Sequence, residues 1–132
     1  MRYSLDTNIV SELVRHPQGR IAAKIREVGE HQVAASVIVA CELRYGAERK
    51  GSPRLTAQVE SVLGALAILP FEPPADIAYG RVRAQLERPG NQIGGNDLLI
   101  AAQALSLGLI VVTANDAEFA RVPGLSCENW LR

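Results

Sequence analysis

Apolar residues fall along this chain in two alternating rhythms. Short, mostly apolar runs sit around Tyr3, Val33, Ile68 and Leu109 to Val112. Between them lie longer stretches in which apolar residues recur every three or four positions, as on one face of a helix. The first run leads into a helix carrying Ile9, Val10, Leu13 and Val14, with Asn8 as its expected N-cap and Pro17 closing it. A second helix is expected over 20–28, stopped by Gly29, and a strand over 32–36. Ser36 suits the N-cap of a third helix over 37–49. Gly51-Ser52-Pro53 then breaks the pattern, and a fourth helix runs from Leu55 toward Leu66 and into a strand at Ile68-Leu69. A fifth helix over 75–87 offers Ile77, Val82 and Leu86 as inward residues. A sixth over 97–107 is apolar on most sides and therefore deeply buried. Leu109 to Val112 is continuously apolar, which predicts a central parallel strand covered on both faces. A helical turn at Glu118-Phe119, a last strand over 125–129 and a packed Trp130 complete the pattern. Strands alternating with helices predict one α/β domain over 1–132 with a mainly parallel sheet.

Composition narrows the functional classes. The 132 residues are 48% hydrophobic and 21% charged, with formal net charge +0. A core is affordable for one domain, and a chain-wide basic field for nucleic acid is excluded, so any such contact needs a local patch. Cys41 and Cys127 lack metal-ligand spacing and read as buried thiols in a reducing compartment. No apolar run approaches the roughly 18 residues of a membrane span. The N-terminus lacks a secretory pattern, so a cytoplasmic location is expected.

The chemistry-bearing residues are acids. Asp6 follows the first strand, Glu42 lies in the helix after the second, Asp97 opens the apolar sixth helix, and Asp116 follows Asn115 after the strongest strand. With right-handed crossovers the carboxyl ends of parallel strands share one edge, so Asp6 and the Asn115-Asp116 turn are expected there together. Clustered carboxylates repel unless some are protonated or a hard cation sits among them, and Mg²⁺ or Mn²⁺ suits oxygen-only ligands. That chemistry is a metal-dependent nuclease's. Each residue also has a plainer reading. Asp6 and Asp97 could complement helix dipoles, Glu42 could face solvent or pair with Arg44 or Arg49, and Asp116 could be a turn residue.

Six short pieces occur in order. They are Leu5-Asp6-Thr7-Asn8; Ser36 with Glu42-Leu43-Arg44-Tyr45-Gly46; Tyr79-Gly80-Arg81 to Leu86-Glu87; Ile93-Gly94 to Asp97 through Ala102; Val112-Thr113 to Glu118-Phe119; and Pro123-Gly124-Leu125 to Trp130. As a set they resemble the PIN-domain ribonucleases, most closely the VapC-type toxins of toxin–antitoxin pairs. The resemblance implies a three-layer α/β/α fold with four or five parallel strands and an Mg²⁺- or Mn²⁺-dependent endoribonuclease. Asp6, Glu42 and Asp97 match the family's core acids and its metal ligands, with Thr7 or Asn8 supporting Asp6. The fourth acidic position falls on Asn115, which leaves Asp116 to supply the charge one residue later. Val39 stands where relatives often carry a hydroxyl. The resemblance further implies a cognate antitoxin that reaches the acidic pocket and carries the DNA-binding part, a homodimer, and structured RNA such as tRNA as substrate. Arg44, Arg49 and Lys50 are candidate phosphate contacts, with Arg83 in a second set; the plainer reading is a solvated helix face. The alternatives are a catalytically silent PIN module and a metal-dependent phosphatase.

Overall fold

The structure, a computed structural model, describes residues 1–132. Its element order is β1 (Tyr3–Leu5), α1 (Thr7–Arg15), α2 (Arg20–Val28), a 3-10 turn (Glu30–Gln32), β2 (Val33–Ser36), α3 (Val37–Lys50), α4 (Pro53–Ala65) and β3 (Ala67–Leu69). There follow α5 (Ala75–Glu87), α6 (Gly95–Leu107), β4 (Ile110–Val112), α7 (Asp116–Phe119) and β5 (Cys127–Glu128). The five strands lie in the order β3-β2-β1-β4-β5, and every pairing is parallel. Helices cover both faces, giving three α/β/α layers.

Topology fixes where a site forms. The chain builds outward from β1 through β2 to β3, then returns to the other side of β1 for β4 and β5. Neighbouring strands β1 and β4 therefore carry chain departing in opposite directions, which opens a crevice at their carboxyl ends. Their register is Leu5 opposite Val112, so the next residues, Asp6 and Thr113, meet across that crevice.

The buried core explains the strand sequences. Tyr3, Ser4 and Leu5 are all buried, as are Val33 to Ser36, so β1 and β2 show no polar alternation. Val111 and Val112 are fully covered and Phe119 packs into the same cluster. Trp130 meets Tyr3 edge-on, with ring centroids 5.1 Å apart, and so pins the C-terminal segment to β1.

Some local expectations change. The N-cap of α1 is Asp6, whose Oδ1 accepts from the Thr7 N–H at 2.8 Å. Asn8 lies inside the first turn and spends its Oδ1 on the Ala114 N–H at 3.1 Å, tying α1 to the loop after β4. Ile77 is 60% exposed, because Ala75, Val82 and Leu86 form the inward stripe of α5 and Ile77 falls off it. Cys41 is exposed and Cys127 half-buried, so neither is the fully buried thiol expected. Ser36 and Ser52 cap α3 and α4, accepting from the N–H groups of Ile38 and Leu55.

Candidate active site

Asp6 is the most constrained carboxylate of the chain. It is 2% exposed, with Oδ1 held by the Thr7 N–H at 2.8 Å and Oδ2 by the Thr113 hydroxyl at 2.8 Å. Burial raises its pKa; those two hydrogen bonds oppose the rise, and the charges of Glu42 and Glu118 reinforce it. Thr113 is fully buried and also accepts from the Asn115 N–H at 2.9 Å, so one hydroxyl orients both the acid and the following turn.

Glu42 comes from the second turn of α3 and neither faces plain solvent nor pairs with Arg44 or Arg49. Its Oε1 accepts from the Thr7 hydroxyl at 2.7 Å. Thr7 thus contacts two acids, Asp6 through its N–H and Glu42 through its hydroxyl.

Asp97 stands in the first turn of α6. Its pKa is pushed up to about 7, first by burial and then by the charges of Asp6, Glu118 and Glu42. A hydrogen bond to Glu118 adds to the rise, with the proton on Asp97. Glu118 behaves in the opposite way. Its Oε1 accepts from the Gly94 N–H at 2.7 Å, which holds its pKa down, and its Oε2 accepts from the Asn115 side-chain amide. A Cβ placed on Gly94 would stand 3.7 Å from Glu118 Oε1 and 3.8 Å from Asp97 Oδ2, in ordinary contact, so Gly94 lies against both carboxylates.

Of the two acids of α7, it is therefore Glu118 and not Asp116 whose charge reaches Asp6 and Asp97. Asp116 accepts from Arg132 at 3.1 Å and from Asn129 at 3.4 Å, and its charge is absent from those that reach Asp97. The short helix α7 explains the difference: Asp116 opens it toward the C-terminal segment, whereas Glu118, two residues on, turns back over Asn115. Asn115 is not a charge substitute but the residue that holds Glu118. The sequence carried one signal for this pairing, an Asn followed three residues later by Glu, the N-cap-to-N3 spacing of a capping box, although here the two side chains bond each other rather than the helix backbone.

Asp6, Glu42, Asp97 and Glu118 thus come from β1, α3, α6 and α7 to one edge of the sheet. None takes part in any of the protein's ion pairs. Excess negative charge with no ion-paired cation, on oxygen donors only, is the setting that a hard divalent cation relieves. The side chains do not form a ready cage: no three of them converge on one point at coordinating distance. Asp6, Glu42 and Glu118 instead turn oxygens onto neighbouring hydroxyl and N–H groups, and Asp97 shares a hydrogen bond with Glu118.

The sequence matches the family profile of the PIN domain over residues 3–125. The chain belongs to the PIN-domain family. Within it, the chain is 39% identical over 132 residues to Ribonuclease VapC2 of Haemophilus influenzae, covering 99% of each chain. It is 36% identical to the tRNA(fMet)-specific endonuclease VapC of Salmonella typhimurium, covering 98% of each. The fold superposes on DNA-bound VapBC from Salmonella typhimurium with a TM-score of 0.92 at 36% identity and 98% coverage of both chains. Against VapBC2 from Rickettsia felis, bound to a DNA fragment from its promoter, the TM-score is 0.90 at 34% identity, covering 98% and 99%. This is a PIN domain of the VapC type.

The basic residues of this PIN domain are placed unevenly. Arg44 forks onto Glu60 through two bonds of 2.9 Å, and Arg83 is held by Glu87 at 2.8 Å and by the Tyr79 hydroxyl at 2.9 Å. Arg49 is exposed in the last turn of α3. Lys50 lines a cavity of ≈ 350 Å³ whose walls include Thr7 and Glu42. Val39 is fully buried in the core and offers the site no hydrogen bond.

Proposed function

We propose that this chain is the toxin of a toxin–antitoxin pair, an endoribonuclease that depends on Mg²⁺ or Mn²⁺. The observation that carries the reading is the convergence of Asp6, Glu42, Asp97 and Glu118 at the β1/β4 crevice with no cationic side chain bonded to any of them. Asp6 and Asp97 would hold the cation, with Glu42 and Glu118 completing its surroundings. When bound, such a cation supplies charge for the leaving oxygen of a phosphodiester and lowers the pKa of an attacking water. The protein's own part is orientation. Thr113 and the Thr7 N–H fix the Asp6 oxygens, the Thr7 hydroxyl aims Glu42, and Asn115 with Gly94 holds Glu118 against Asp97. The raised proton affinity of Asp97 comes first from burial and then from the charges of Asp6, Glu118 and Glu42, and a cation would relieve that second part.

RNA as substrate is supported by relatives named as ribonucleases, and tRNA is the first substrate to test because one relative is named a tRNA(fMet)-specific endonuclease. A cognate antitoxin is supported by neighbours that are VapBC complexes. Two of these are DNA-bound as complexes, so we read DNA contact as indirect, through the partner. We assign the chain a homodimeric state and a cytoplasmic site of action, where its RNA would be; no helix is long and apolar enough to cross a membrane.

The test is cleavage of a tRNA and rRNA pool by antitoxin-free protein with Mg²⁺, with Mn²⁺ and with EDTA, beside Asp6→Asn and Asp97→Asn. Discrete cation-dependent fragments, lost in both variants, are expected. Fragments that persist in EDTA would remove the metal-dependent mechanism. Cation-independent RNA binding without cleavage would favour a silent PIN module.

A further inference from the structure

Beside the acids lies a cavity of ≈ 270 Å³ that the cleavage chemistry does not use. Tyr79 and Arg83 of α5 form one wall and Leu86, Ile93 and Leu98 the apolar interior, with the exposed Gln92 at the rim. Gly95 and Leu98 also line it, and Asp97 stands between them in the same helical turn. The loop it shares with the acids is fixed at both ends: Gly94 N–H donates to Glu118, and the Gln92 carbonyl accepts from Arg121 at 3.0 Å.

We propose that this cavity is a subsite for one nucleobase of the RNA strand, next to the phosphate that is cleaved. The inference rests on the nuclease reading above and names how that site grips its substrate. Aromatic rings are scarce in this chain: Tyr3, Phe119 and Trp130 are spent in the core, and neither the exposed Tyr45 nor Phe71 lines this cavity. Tyr79 is half-buried and presents its ring to a cavity beside the carboxylates. The Arg83 guanidinium carbon lies 6.0 Å from that ring's centroid, and its bonds to Glu87 and the Tyr79 hydroxyl use only two of its five N–H donors. The remaining donors suit a phosphate oxygen. The volume is below that of pockets for drug-sized ligands and suits a single flat ring system. A base stacked on Tyr79 buries its face against Leu86, Ile93 and Leu98 and offers its edge to the Gln92 amide, which both donates and accepts. An aliphatic side chain from a protein partner would fill the interior but leave Gln92 and Arg83 unmatched.

The experiment follows the methyl resonances of Ile93 and Leu98 in the full chain, in EDTA, during titration with the four nucleoside 5′-monophosphates and with ribose 5-phosphate. Shifts with the nucleotides and none with ribose 5-phosphate are expected. Equal shifts with ribose 5-phosphate would reduce the cavity to a phosphate contact and overturn the proposal, as would methyls that do not move. Binding of a short single-stranded RNA should weaken about tenfold in Tyr79→Leu, the loss of one stacked base, and stay unchanged in Tyr79→Phe. Should Tyr79→Leu unfold, Arg83→Gln and Gln92→Ala decide. The first should weaken nucleotide binding and the second should flatten discrimination among the four bases; no change in either overturns the subsite. RNA cleavage by protein whose methyls stay silent would remove the subsite and leave the nuclease reading standing. Base binding without any cleavage would do the reverse.

Discussion

Replacing Asp97 by Asn should stabilise the cation-free protein above neutral pH. Asp97 has its pKa raised from 3.8 to about 7 by burial and by Asp6, Glu118 and Glu42. A folded-state pKa above the unfolded value means that the native state binds the proton more tightly. Its contribution is therefore most favourable below pH ~4, is lost progressively between ~4 and ~7, and is flat above that. At about 1.36 kcal/mol per pH unit the change from 3.8 to about 7 corresponds to at most ~4 kcal/mol. Asp97 is only half-buried, so solvent screening reduces this to roughly 2 kcal/mol. For a domain of this size that is a rise in Tm of about 8 °C. The assay is thermal unfolding of the wild-type chain and Asp97→Asn in EDTA from pH 4 to pH 8.5, repeated with Mg²⁺. The difference between the two should be smallest at pH 4, grow to pH 7 and then level off. Added Mg²⁺ should raise the Tm of the wild type and close the gap. If Asp97→Asn is destabilised at pH 8 in EDTA, or if the gap does not depend on pH, the carboxylates are not coupled as described and the electrostatic reasoning fails.

Other perturbations separate the remaining contacts. Thr113→Val removes the hydroxyl that bonds Asp6 and the Asn115 N–H; it should cost about 1–3 kcal/mol in urea unfolding at pH 8. Ser4→Ala should be neutral or stabilising by up to ~1 kcal/mol in the same assay, because the buried Ser4 hydroxyl has no hydrogen-bond partner. Glu118→Gln should lower RNA cleavage about 10–100-fold, whereas Asp116→Asn, which breaks only the contacts to Arg132 and Asn129, should leave the rate unchanged. Equal losses in the two variants would show that both acids serve the site.

The sequence by itself determined the elements and singled out three of the four acids that the structure gathers at one crevice. Helix limits at Gly29 and Ser36 were legible because the backbone's demands at a helix end are local: a side-chain acceptor for free N–H groups, or a residue that tolerates a positive φ. The buried parallel strands were legible because burial on both faces removes polar alternation. Asp6, Glu42 and Asp97 could be picked out because a carboxylate at a strand's carboxyl end, or among apolar helix residues, requires a reason. The tertiary structure decided what depends on direction in space. Only the β1/β4 register sets Thr113 against Asp6, 107 residues away in sequence. Only the turn of α7 tells which of Asp116 and Glu118 faces the other acids, since both lie in one four-residue helix. In the same way the stripe of α5 left Ile77 outside, and the packing of α5 against α6 brought Tyr79 and Arg83 to one cavity with Gly95 and Leu98. Local chemistry is written residue by residue, but the meeting of side chains from separate elements is set by the sheet order and the crossovers, which the fold as a whole selects.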